Sequence, residues 1–273
     1  MILVTGGTGF VGAQVVRHLL GRGCDLRLVV REGSAIDPSV WQQCDIRQTK
    51  DLFQEEYSWL EEVLNNITTV VHLAWYSKPG EYITSLKNLD SLHTTLELAR
   101  ASCSNGVNRF IGIGSCLEYQ MGPEFLSVDM PLEPSSLYAA CKVAGYQILS
   151  EIFSLNDIEF AWCRLFYLYG EGEDRHRLSA YIRSRLAVGK VAELTAGAQV
   201  RDFLDVEVAG RDIAEVAVSG KQGPQNICSG IPITVREFAE KIADNYGRRD
   251  LLKFGIRPEN QVDPARVVGL KSL

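Results

Sequence analysis

A glycine-rich turn between a short apolar strand and an amphipathic helix constrains this chain more than any other stretch. Residues 2–12 read Ile-Leu-Val-Thr-Gly-Gly-Thr-Gly-Phe-Val-Gly, and from Phe10 to Leu20 apolar residues recur at helical spacing. In such a turn one glycine permits the tight bend, one lets the backbone approach a pyrophosphate, and one lets helix and strand pack closely. Gly6, Gly9 and Gly12 occupy those places, and Gly7-x-Gly9-x-x-Gly12 also meets the common dinucleotide fingerprint. A pyrophosphate would lie over the helix N-terminus, where unpaired N–H groups and the helix dipole favour negative charge. The turn, with Phe10 and Val11 at the head of the helix, is therefore a candidate dinucleotide site.

The rest of the chain repeats that rhythm. Strand-like runs at 2–4, 26–30, 69–73, 109–113 and 158–165 alternate with helix-like segments at 10–20, 51–65, 82–104 and 135–153. This alternation predicts an α/β chain with a Rossmann-type, doubly wound parallel sheet. Beyond about residue 165 the rhythm loosens into a polar loop at 170–177, short strands and a helix at 235–246. The expected division is a dinucleotide-binding domain at 1–165 and a smaller, interleaved substrate lobe at 166–273. Ligands of such sheets bind beyond the carboxyl ends of the strands, so residues just after each strand are the ones to read for chemistry.

Composition excludes several classes. The chain has 28 Lys and Arg against 34 Asp and Glu, a net charge of −6. That unclustered acidic balance argues against nucleic acid as the main partner. No apolar run reaches the roughly 18 residues a membrane helix needs, and a first strand at residue 2 leaves no room for a signal peptide. Seven cysteines are scattered without C-x-x-C spacing, and four histidines are unpaired in sequence, so neither a disulfide framework nor a metal site is expected. A reducing cytoplasm is the simplest location.

Two further groups bear chemistry. Tyr138 and Lys142 lie four apart in the 135–153 helix, on one face. An ammonium beside a phenol favours phenolate, which would suit Tyr138 to acid–base work on a carbonyl or alcohol. Ser115 follows the 109–113 strand and would reach the same substrate oxygen. Taken singly, the Tyr–Lys pair also reads as surface packing, and Ser115 as a cap or turn residue.

Together with the glycine turn these pieces resemble the extended short-chain dehydrogenase/reductase superfamily, in its branch of nucleotide-sugar epimerases, dehydratases and ketoreductases. The matching segments span nearly the whole chain: Thr-Gly-Gly-Thr-Gly-Phe-Val-Gly at 5–12, His-Leu-Ala at 72–74, Gly-Ser-Cys-Leu-Glu-Tyr at 114–119, Tyr-x-x-x-Lys at 138–142, Arg-Leu-Phe-Tyr-Leu-Tyr-Gly at 164–170 and Arg-Asp-Phe-Leu-Asp-Val at 201–206. The resemblance implies a catalytic set of Ser115, Tyr138 and Lys142, with Lys142 also on the nicotinamide ribose. It implies Leu73 and Ala74 along the cofactor cleft, Asp45 and Ile46 at adenine, and Arg201 and Arg257 on the substrate's diphosphate. It also implies a homodimer built on the 82–104 and 135–153 helices. Ser91 and Tyr167 depart from it, standing where many relatives have Asn.

Within that branch, cofactor choice turns on Arg31. NAD-dependent members end their second strand in an acidic residue that binds the ribose hydroxyls. Arg31 holds that place, and a guanidinium suits a 2′-phosphate, so NADP(H) is expected over NAD(H). Ser115-Cys116-Leu117 replaces the Thr-Asp-Glu of the 4,6-dehydratases, which removes the acidic pair that eliminates water. Cys116 lies one residue after the serine, whereas the Cys of relatives that make GDP-fucose lies two after, so Cys116 reads as a small buried residue and His176 as a solvated one. The expected activity is NADPH-dependent reduction of a nucleotide-activated keto-sugar, with an NAD-retaining epimerase as alternative. A non-enzymatic NADP(H) sensor is the reading from another class, and a complete set of proton-handling residues speaks against it.

Overall fold

The computed structural model describes residues 1–35, 37–259 and 264–271. The first part of the chain runs β1 (Ile2–Thr5), α1 (Phe10–Gly21), β2 (Leu26–Arg31), α2 (Pro38–Gln43), β3 (Asp45–Thr49), α3 (Tyr57–Val63) and β4 (Thr69–His72). It continues through α4 (Lys87–Ser104), β5 (Arg109–Ser115), α5 (Leu137–Leu155), β6 (Glu159–Leu165), β7 (Tyr167–Tyr169) and α6 (Leu178–Ala187). The last third holds β8 (Ala192–Glu193), β9 (Val200–Asp205), α7 (Val206–Val218), β10 (Gly223–Ile227), β11 (Pro232–Thr234), α8 (Val235–Asp244), β12 (Leu252–Lys253) and β13 (Arg266–Val267).

Seven strands form one parallel sheet in the order β10-β6-β5-β4-β1-β2-β3. This is the doubly wound arrangement expected from the alternating pattern. Because side chains alternate along a strand, β1 feeds two cores. Ile2 and Val4 join Val15, Val16, Leu19, Ile213 and Ala217 beneath α1 and α7. Leu3 joins Leu60, Leu98, Leu149 and Phe153 beneath α3, α4 and α5. A third cluster lies outside the sheet, where Ile182, Leu186, Leu194, Phe238 and Ile242 pack α6 against α8.

The 166–273 segment is not a separate body, since it returns α7 and β10 to the main sheet. The two strands of the main sheet that sequence reading passed over, β3 and β10, are its outer strands. Their polar composition, with Pro224 in β10, is what an outer strand tolerates and a central one does not. Two helices are shorter than expected. In the 51–65 stretch, Asp51 caps a single tight turn at Leu52–Gln54 before α3 begins at Tyr57. In the 82–104 stretch, the Asn88 side chain donates to the carbonyls of Tyr82 and Ser85, 2.6 and 2.8 Å away, and α4 starts only at Lys87.

Candidate active site

The carboxyl ends of the central strands open into a cavity of about 900 Å³, within the range of small-molecule and cofactor sites. Its wall includes Gly6, Gly9, Phe10, Val11 and Gly12 from the glycine turn, and Leu73 and Ala74 just after β4. The turn is held by tight backbone packing. Gly6 has φ of +71°, and a side chain there would meet the Ala74 nitrogen at 2.7 Å. A methyl group on Gly12 would overlap the carbonyl of Gly6, so that position fixes how closely α1 sits on the turn. At Gly9 a methyl would touch only the Gly6 carbonyl, at 3.3 Å, which leaves the N-terminus of α1 uncovered toward the cavity.

Two regions extend from the turn. Arg31, exposed at the end of β2, lines one together with Ser34, Thr49, Asp51, Leu52 and Phe53. Ser115, Tyr138 and Lys142 line the other. An uncovered helix N-terminus between a guanidinium and a proton-handling group fits a nicotinamide dinucleotide.

Tyr138 and Lys142 project from the first turns of α5, whose N-cap Ser136 accepts from the Ala139 N–H at 3.2 Å. Ser115 ends β5 and caps the following tight turn: its hydroxyl accepts from Leu117 N–H at 3.2 Å, while Glu118 accepts from Ser115 N–H at 2.7 Å. Glu118 is buried and ion-paired with buried Arg164 at 2.7 Å, and Trp162 donates to the same carboxylate. The carboxylate thus anchors the backbone from which Ser115 reaches the cavity.

Desolvation pushes the Tyr138 hydroxyl well above the usual phenol range, helped by Tyr82 and Glu118, while a hydrogen bond with Ser115 pulls the other way. This differs from the expectation that Lys142 would favour the phenolate. The ammonium donates instead to the Ile113 carbonyl at 2.6 Å and lies against the Trp75 ring. Burial brings Lys142 itself down to about 7. His72, fully enclosed between Thr5 and Thr95, is pulled down to about 3 by burial and is neutral. Burial pushes Cys116 up to about 12, so its thiol stays protonated. His176 is exposed and bonded to Asp174 at 2.8 Å.

Four of the expected site residues stand elsewhere. Asp45 and Ile46 begin β3, at the edge of the sheet opposite the cavity, and Asp45 is ion-paired with Arg27 at 2.7 Å. The wall near Arg31 is supplied instead by Asp51 and Leu52, six residues later and beyond the carboxyl end of β3. Arg201 is buried behind the wall, its guanidinium 5.2 Å from the ring of cavity-lining Tyr167. Arg257 is exposed and covers Tyr181 at 4.4 Å. Other cations that line the cavity are Lys78, ion-paired with Glu81 at 2.5 Å, and Arg177 at the end of the 170–177 loop. Sequence reading missed Arg177 in its polar loop, and Lys78, Trp75 and Tyr82 in the 73–86 stretch, which is irregular up to Lys87 although its end reads as helix.

Comparison with known proteins decides the family. The sequence profile of the NAD-dependent epimerase/dehydratase family matches residues 2–225. The chain belongs to that family. It is an NAD(P)-dependent enzyme of the extended short-chain dehydrogenase/reductase group. Among characterised relatives, dTDP-6-deoxy-L-talose 4-dehydrogenase (NAD(+)) of Aggregatibacter actinomycetemcomitans is 24% identical, over 99% of both chains. A putative UDP-glucose 4-epimerase of Methanocaldococcus jannaschii is 27% identical over 91% of this chain and 83% of its own. The fold matches UDP-glucose 4-epimerase of Thermus thermophilus in complex with NAD, with TM-score 0.85 and 23% identity over 99% of this chain and 90% of that one. It matches UDP-N-acetylglucosamine 4-epimerase of Methanobrevibacter ruminantium as closely, with TM-score 0.86 and 24% identity over 99% and 89%. Among the described residues no helix is long and apolar enough to cross a membrane.

Proposed function

We propose that this family member reduces a nucleotide-activated 4-keto-6-deoxyhexose with NADPH. The observation that carries the reading is the grouping of Ser115, Tyr138 and Lys142 at one end of a cavity whose other end holds Arg31. The 4-dehydrogenase relative supports oxidoreduction at carbon 4 of a 6-deoxyhexose. A bound nicotinamide supplies the hydride chemistry. Tyr138 keeps its proton at neutral pH and gives it to the carbonyl oxygen as that oxygen becomes an alcohol. Ser115 holds the same oxygen by a hydrogen bond. Lys142 places a positive charge beside the ribose and the reacting group. Arg31 binds the 2′-phosphate, and Lys78 and Arg177 take the sugar nucleotide's diphosphate in place of Arg201 and Arg257.

The part of 166–273 that packs outside the main sheet, α6 and α8 with the short strands beside them, is the substrate lobe in this reading. Two copies pair through α4 and α5, whose outer faces expose Leu89 and Ile148 beside Leu86. The cytoplasm is the proposed location, on the strength of seven free thiols.

A second reading is supported by the epimerase relatives and by a neighbour solved with NAD: an epimerase that keeps NAD bound. Isothermal titration of cofactor-stripped protein with NADPH and NADH tests the cofactor, and net consumption of cofactor by the sugar separates the two. NADPH is expected to bind more tightly, and Arg31→Asp to erase at least about ten-fold of that preference. The keto-sugar should then consume NADPH one for one. Tighter NADH binding, left unchanged by Arg31→Asp, would overturn the 2′-phosphate assignment, and isomerisation of the sugar without net redox would put the epimerase first.

A further inference from the structure

One group on the cavity wall has no part in the reaction described above. Trp75 follows β4 by three residues, and its ring centroid lies 3.5 Å from Lys142 Nζ. Tyr138 and Trp162 stand farther off, at 5.9 and 5.8 Å. Trp75 is itself held: its Nε1–H donates to Asn88 Oδ1 at 2.8 Å, and Asn88 is fully buried at the head of α4. The indole also meets the Tyr138 ring edge-on at 6.4 Å, and Tyr82 meets that ring edge-on at 4.8 Å.

We propose that Trp75 is a positioning residue for Lys142, its π-face holding the ammonium at a fixed point beside Tyr138 and Asn88 fixing the indole. Lys142 is only 3% exposed, so most of its hydration is gone. A buried ammonium needs other electron-rich partners. The Ile113 carbonyl supplies one of them along a single N–H direction. The indole face covers a second side, and tryptophan offers the strongest ring quadrupole for a desolvated cation. The titratable groups near Lys142 are His72 at the end of β4, Glu118 after β5, and Tyr138 and Cys141 on α5. Of these, Glu118 favours the ammonium but spends its own hydrogen bonds on Arg164, Trp162 and Ser115. Burial draws Lys142 toward neutrality, and a ring face on the ammonium opposes that loss of charge.

The inference rests on Lys142 belonging to the reacting group, and the test separates the two. The full-length chain carrying ¹³C-lysine is titrated by NMR, with the Lys142 signal assigned by its loss in Lys142→Met. Removing the π-face in Trp75→Leu is expected to lower the Lys142 midpoint by about one pH unit. Trp75→Phe, which keeps a weaker ring and serves if the Leu variant fails to fold, should lower it by about half as much. The alkaline limb of the kcat profile should move with the midpoint, while KM for the keto-sugar changes less. Midpoints unchanged in the folded variants would overturn the proposal. A shifted midpoint with an unmoved kcat profile would uphold the role of Trp75 and overturn that of Lys142 in the reaction.

Discussion

Tyr138 and Lys142 are one helical turn apart, yet their surroundings push both toward the neutral form. Desolvation raises the phenol and lowers the ammonium, and each effect opposes the phenolate–ammonium pair that sequence spacing suggests. The arrangement keeps Tyr138 as a proton donor, the form a reductase uses. Tyr138→Phe should cut turnover at least about a hundred-fold while cofactor affinity, by titration, stays within a few-fold. Residual activity near the native level would remove Tyr138 as the acid. Burying Lys142 also has a thermal signature. Its folded value is about 7 against 10.5 for a free lysine, so between those pH values the unfolded chain holds a proton that the folded chain has lost. Stability from this group therefore rises with pH across that window and is lowest below it. Lys142→Met should melt above the native protein at pH 6, the difference closing as pH approaches 10. A constant difference across that range would mean Lys142 is not the source.

At the scale of elements, the site depends on how closely helices approach the strand ends. Gly12 sets the distance of α1 from the turn, and Gly210 does the same between α1 and α7. A methyl at Gly210 would come within 2.8 Å of the Gln14 carbonyl carbon and 3.0 Å of Val15 N. Gly210→Ala should therefore move α7 off α1 and lower unfolding stability by about 1–3 kcal/mol, read from the urea midpoint. The N-terminus of α1 forms the uncovered end of the turn, so cofactor affinity should fall with it. An unchanged midpoint would show that the two helices adjust freely. The start of α4 belongs to this scale as well. Asn88 takes up the Tyr82 and Ser85 carbonyls and delays the helix, which frees Tyr82 and Ile83 to line the cavity.

Across the whole molecule, distant segments are tied at β10. Asn226 accepts from the Tyr119 hydroxyl at 2.6 Å and donates to the carbonyls of Leu126 and Leu270 at 2.8 and 3.0 Å. One buried side chain thus joins the strand that ends the main sheet, the loop after β5 and the end of the described chain. Asn226→Ala leaves those groups without it, each at a cost of about 1–3 kcal/mol where no water replaces the bond. Cooperative unfolding at clearly lower denaturant is the expected outcome. A midpoint within error of the native one would show that other contacts hold these segments.

Sequence alone determined the parallel sheet, the glycine turn and the shared helix face of Tyr138 and Lys142, because each is encoded locally. Strand and helix periods set the layers, glycine spacing sets the turn, and a four-residue step sets a helix face. Tertiary structure decided which residues reach the cavity from irregular or polar segments. The resemblance put Asp45 at the adenine, but Asp45 opens β3 at the end of the sheet away from the cavity, and Asp51, just past the other end of β3, lines it instead. Arg201 and Arg257 read as phosphate ligands, yet one is buried behind Tyr167 and the other lies over Tyr181. Trp75 had no local signal, since its role depends on an ammonium 67 positions away that only the packing of α5 against β5 brings to its face. The protonation of Tyr138 and Lys142 was likewise hidden, because desolvation is a property of the surrounding fold and not of neighbours along the chain.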